Sequence, residues 1–243
     1  MKRQTILPLA IVALGACGDA SGPNSQAMSL SFAANSSTAA ATNVTGLHPS
    51  VTIGDGTNTL VLTRVQLVLG EIELEPAGVQ DCDSSGPGND CPEIRLAPVI
   101  VDLPLNGGVN TAFSASIPAG SYHQVEFETD AVESDDVGAA AFFAANPTFP
   151  RGKSVRIEGT YNGQAFVFTS SVEAEVELEF EPPLNVDQGG TNVTVNVDVS
   201  SWFRANGVLI DPSGADAQSQ ISSNISASFE VYHDDDRDGH RDD

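Results

Sequence analysis

Basic side chains are scarce in this sequence: Lys and Arg number 10 against 33 Asp and Glu, a formal charge of -23 over 243 residues. Nucleic-acid binding depends on neutralising phosphates with Lys and Arg, so no nucleic-acid partner is expected, and cations become the natural small partners. Histidine is sparse too. His48, His123, His233 and His240 lie outside i+2 to i+4 spacing of one another and of any cysteine, and the many serines include no G-x-S-x-G nucleophile turn. The expectation is a protein that is not an enzyme. Long apolar runs are also missing, which excludes a membrane-spanning helix.

Only three cysteines occur, and two fates are expected among them. Lys2 and Arg3 precede a short apolar run, Ile6 to Ala16, that ends in Leu14-Gly15-Ala16-Cys17. This order of basic flank, apolar stretch and small residues before cysteine resembles the lipobox of bacterial lipoproteins. The resemblance implies a signal peptide over 1–16, cleavage before Cys17, and a membrane partner reached only through palmitate and diacylglycerol on that cysteine. Gly18 is not the aspartate that resembles an inner-membrane retention signal, so an outer-membrane lipoprotein of the cell envelope is expected. Cys82 and Cys91 flank a spacer of Asp, Ser, Gly, Pro and Asn that can fold the chain back, and an exported chain meets oxidising conditions. A loop-stapling disulfide is expected there, since a metal pair would need further Cys or His ligands and residues 49 to 122 supply none.

Residues 17–46, rich in Ser, Ala, Asn and Thr, read as the lipidated cysteine and a flexible tether, with a first strand suggested by Met28, Leu30 and Phe32. The span 47–232 then repeats period-two patterning. Val61, Val65, Leu67 and Leu69 share one parity while Ile72 and Leu74 take the other, so a bulge is expected at Gly70. Further strands are expected at Val99 to Leu103, Ala112 to Ile117, Tyr122 to Thr129, Ser154 to Tyr161 and Ala165 to Ser170, with Asn162-Gly163 as a hairpin turn. Val172 to Phe180 alternates with Glu173 to Glu181, and Val193 to Val199 alternates with Thr194, Asn196 and Asp198, giving one buried and one wet face per strand.

Helix is confined to two places. One is the Ala-rich stretch between Asp135 and Ala145, ended before Pro147; the other is Ala217 to Phe229, where Ala217, Ile221, Ile225 and Phe229 recur every four residues. Ser200-Ser201-Trp202-Phe203 reads as a turn closing one end of the core. The fold class expected is mainly β, an antiparallel β-sandwich with one or two short helices, followed by an acidic tail at 233–243.

That tail carries the one motif with chemistry beyond the anchor. Asp234, Asp236, Asp238 and Gly239 fit D-x-D-x-D-G, in which alternate carboxylates converge on a hard cation and glycine permits the sharp turn. His240 would offer its backbone carbonyl and Asp242 would fall at the ninth position, which makes Ca2+ the expected ion. The chain ends before the twelfth position, where a bidentate glutamate closes an EF-hand, so the affinity expected is that of extracellular modules, about 0.1 to 1 mM. The motif resembles the aspartate-rich repeats of thrombospondin type 3 and dockerin proteins as much as an EF-hand. The other acidic feature, the glutamates of residues 173 to 181, reads as a solvated strand face.

Leu62-Thr63-Arg64-Val65, Ile72-Glu73-Leu74, Val101-Asp102-Leu103 and Ile117-Pro118-Ala119-Gly120-Ser121-Tyr122 together resemble a group of uncharacterised bacterial lipoproteins with a β-sandwich of unknown function. Val197-Asp198-Val199-Ser200-Ser201-Trp202-Phe203 with Asn224-Ile225 and Ser228-Phe229 is similar to periplasmic copper-binding proteins of the methanobactin-partner type. The first resemblance implies a β-sandwich; the function expected first is a lipid-anchored, non-enzymatic binding protein with a surface glycan or protein partner. The second implies a shared fold, although none of the histidines here matches a copper ligand of that group. A separate expectation is metal uptake, in which His123, His233 and carboxylates would collect a transition metal; a structural envelope role is the third alternative.

Overall fold

A computed structural model describes residues 25–35, 40–41, 49–70, 72–77, 97–186, 191–214 and 217–242. Cys17, Cys82 and Cys91 lie outside them, as do the leader and most of the tether. The chain opens with β1 (Ser25–Asn35), β2 (Ala40–Ala41), β3 (Val51–Gly54), β4 (Thr59–Leu69) and β5 (Ile72–Pro76). It continues through β6 (Val99–Asp102), β7 (Val109–Pro118), β8 (Gly120–Thr129), α1 (Ala139–Ala145), β9 (Val155–Tyr161) and β10 (Gln164–Ser170). The last part holds β11 (Ala174–Val186), β12 (Thr191–Asp198), the short β13 (Arg204–Ala205) and β14 (Val208–Leu209), α2 (Ala217–Ser226) and β15 (Phe229–His233).

Three sheets share one core. Their orders are β15-β12-β1-β7, β10-β9-β4-β3-β2 with β6 also on β4, and β11-β8-β5. The class is the mainly β sandwich expected, and its pairings are antiparallel except that β1 runs parallel to β12, from Met28 opposite Thr191 to Asn35 opposite Asp198. Leu30 and Phe32, in a segment read largely as tether, are buried with Val195, Leu62, Ile157, Val125 and Phe127. β1 therefore belongs to the sandwich, and Phe32 meets Phe127 edge-on at 6.3 Å between ring centroids.

Gly70 is not a bulge. It ends β4, its N–H donates to the Glu128 carbonyl, and the chain then enters a different sheet as β5. The change of apolar parity marks that crossing. Before it, Val65 to Leu69 are all buried, because both faces of β4 are covered: Leu67 and Leu69 face the main core, while Val68 packs with Val132, Phe142 and Phe149 under α1. At Asn162-Gly163 both residues take positive φ, 49° and 81°, as a type I′ turn requires, and Tyr161 pairs with Gln164.

Ala217, Ile221 and Ile225 bury one face of α2 as the four-residue spacing implies, but Phe229 belongs to β15 rather than to the helix. Trp202 and Phe203 are fully buried, with Trp202 Nε1 donating to Ser228 Oγ at 2.6 Å. Asn224 Nδ2 donates to the carbonyls of Trp202 and Arg204, each at 2.9 Å, which fastens α2 to that turn. The Pro118 to Tyr122 motif closes on itself, the Tyr122 hydroxyl donating to the Pro118 carbonyl at 2.7 Å.

Candidate cation site at the C-terminal loop

The loop after β15 is built on the polar face of β12. That face is not wet: Asn192 and Thr194 are buried, because the residues after His233 fold back over them, while Thr191, of the other parity, is buried beside Asp235. A buried polar face needs partners, and the aspartates supply them. Thr194 Oγ1 donates to Asp234 Oδ2 at 2.7 Å, and Asn192 Nδ2 donates to the Asp234 carbonyl at 2.7 Å. The Asn192 N–H and Thr191 Oγ1 donate to Asp235 Oδ1 at 3.0 and 3.1 Å.

Asp234 has no exposed surface, and it also holds the turn itself. The N–H groups of Asp238 and Gly239 donate to its two oxygens at 3.0 and 3.2 Å. Asp236 Oδ1 accepts from the Asp238 N–H at 3.1 Å, and Asp238 Oδ1 accepts from the His240 N–H at 2.8 Å. Gly239 takes a φ of 84°, where a side chain would be strained, and its carbonyl accepts the Tyr232 hydroxyl at 2.6 Å. The return is fixed by the Asp242 N–H to the His233 carbonyl at 3.0 Å and the Asp235 N–H to Asp242 Oδ2 at 2.6 Å.

Of the residues expected as ligands, Asp234, Asp236 and Asp242 come together, with one oxygen of each within 4.8 Å of the others. An ion 2.3 to 2.6 Å from each of two oxygens spans separations up to about 5 Å, so the trio falls within one calcium shell. The Asp238 carboxylate is not in this trio. A second group, missed by the motif frame, joins His233, Asp235 and the same Asp242. His233 Nε2 lies 3.0 Å from Asp235 Oδ1 and 3.3 Å from Thr191 Oγ1. The sequence signal available was His233-x-Asp235, two residues on one parity of a strand end.

His123 stands elsewhere, its Nε2 2.9 Å from Glu75 Oε2 and its Nδ1 3.3 Å from the Pro76 carbonyl. On the sheet β11-β8-β5, Glu177 is opposite Glu126, which is opposite Glu73, and Glu175 is opposite Glu128. The glutamate face therefore extends over three strands. Arg64 and Asp102, from two of the motifs behind the lipoprotein resemblance, meet as an ion pair at 2.9 Å.

No family model matches the chain, and no curated protein does. Among solved structures, MbnP from Methylosinus trichosporium aligns with a TM-score of 0.46 and 13% identity, over 86% of this chain and 99% of that one. The likeness to MbnP is weak, and no family accompanies the lipoprotein resemblance. Among the described residues, no helix is long and apolar enough to cross a membrane.

Proposed function

We propose that the protein is a lipid-anchored, non-enzymatic binding module of the bacterial envelope, held to the outer membrane through Cys17, with a C-terminal loop that binds Ca2+. The observation that carries the calcium part is the fold-back of the loop, in which buried Asp234 is fixed by β12 and brings its carboxylate within 4.8 Å of Asp236 and Asp242. The ion would neutralise three converging carboxylates in a chain of charge -23 and lock the loop onto the sandwich. The partner of the sandwich itself is a surface glycan or protein. The alternative of transition-metal capture by His123 and His233 together has less support, because His123 lies on β8 and His233 on β15, in different sheets.

Calorimetric calcium titration of the form beginning at Gly18 tests the loop. Saturable heat at sub-millimolar to millimolar calcium, lost on changing Asp236 and Asp238 to Asn, is the expected result; no heat at about 5 mM, above the weak extracellular range, contradicts it. The anchor is tested by palmitate labelling, which Cys17→Ser should abolish along with membrane fractionation.

A further inference from the structure

We infer that His233, Asp235 and Asp242 form a second cation site, for a zinc-class transition dication, next to the calcium loop. The case starts from chemistry. An imidazole nitrogen with two carboxylates is a donor set suited to zinc and its first-row neighbours, whereas calcium takes oxygen only. His233 Nε2, one oxygen of Asp235 and one of Asp242 lie within 4.8 Å of one another. The His233 to Asp235 separation of 3.0 Å is an ion-pair distance, a few tenths short of the about 3.4 Å that two ligands about 2.1 Å from a tetrahedral zinc subtend.

Two further features mark the trio as a built site. The carboxylate of Asp235 is oriented by Thr191 Oγ1 and the Asn192 N–H, and that of Asp242 by the Asp235 N–H, so both are held before any ion arrives. All three residues also line one cleft of about 390 Å³ between the loop and the Phe180 to Asn185 stretch of β11. Arg241 lines the same cleft, so a bound ion would share the carboxylates with a guanidinium. Asp242 belongs to both trios, so the calcium loop and this site meet at a shared carboxylate.

The test uses the full-length protein in detergent and Co2+ as the spectroscopic probe. Visible ligand-field bands that saturate with Co2+ and are displaced by Zn2+ are expected. His233→Ala and Asp235→Asn should each weaken binding by at least about tenfold, the loss that removing even an outer-shell partner causes, while His123→Ala should leave the bands unchanged. Absence of bands at millimolar Co2+, or bands that survive His233→Ala and Asp235→Asn, would overturn the site and leave His233 and Asp235 as an ion pair only. Calcium heat is read separately: bands without calcium heat sink the calcium reading alone, and heat without bands sinks this one alone.

Discussion

Thr194 and Asp234 show how single side chains hold the C-terminal loop in place. Both are fully buried and joined by a 2.7 Å hydrogen bond, so the carboxylate oxygen has no water to fall back on. Thr194→Val keeps the shape and removes the donor; it should cost about 1.5 to 3 kcal/mol, the range for a bond to a charged group, measured by urea unfolding, and weaken calcium binding in the same variant. The D-x-D-x-D-G spacing made the loop legible in the sequence, and Gly239 with its positive φ stands where the motif requires. What could not be read was the contact that holds the loop in place. Thr194 looked like an outward residue of an alternating strand, and only the fold-back of residues 234–242 makes that face an interior. His233 with Asp235 escaped for a similar reason, since Asp242 reaches them by the return of the loop and not by local spacing.

At the scale of elements, alternation located most strands, but alternation alone cannot say which sheet a strand joins. The parity change at Gly70 was compatible with a bulge in one strand, and the structure uses it to pass from β4 to β5 in another sheet. Phe229 continued the four-residue spacing of α2 but belongs to β15, whose partner β12 lies more than 30 residues earlier in the chain. Long-range joins of this kind rest on few residues, and Asp55 is one of them. Its carboxylate accepts from the N–H groups of Asn58 and Thr57 in the β3–β4 turn and from the Leu209 N–H of β14. The backbone bond from Asn58, followed by that from Leu209, holds the carboxyl well below the usual range. A depressed folded value means that the stabilisation is complete above the ordinary value of 3.8 and is lost as pH falls through the folded one. The difference in Tm between the native chain and Asp55→Ala should therefore be constant near neutrality and shrink below about pH 4. A difference that grows on acidification would contradict the role given to Asp55.

Over the whole molecule, the acidic charge and the sandwich meet in one design problem. Like charges directly opposite across a sheet are destabilising, yet glutamates face one another across β11, β8 and β5, while the other side of the same strands, with Val125, Phe127 and Leu74, is core. The sandwich class was legible because that core side alternates so regularly. The parallel pairing of β1 with β12 was not, because residues more than 150 positions apart carry no local signature of each other. The C-terminal loop gathers three more carboxylates on the same chain, and the account holds that a cation, not a protein base, balances them. Amide hydrogen exchange of the full chain with and without calcium tests this most directly. At about ten times the dissociation constant, exchange at Asp238, Gly239 and Asp242 should slow by about tenfold, and the effect should vanish when Asp236 and Asp238 are changed to Asn. Equal exchange with and without millimolar calcium would contradict the account and leave the loop held by β12 alone.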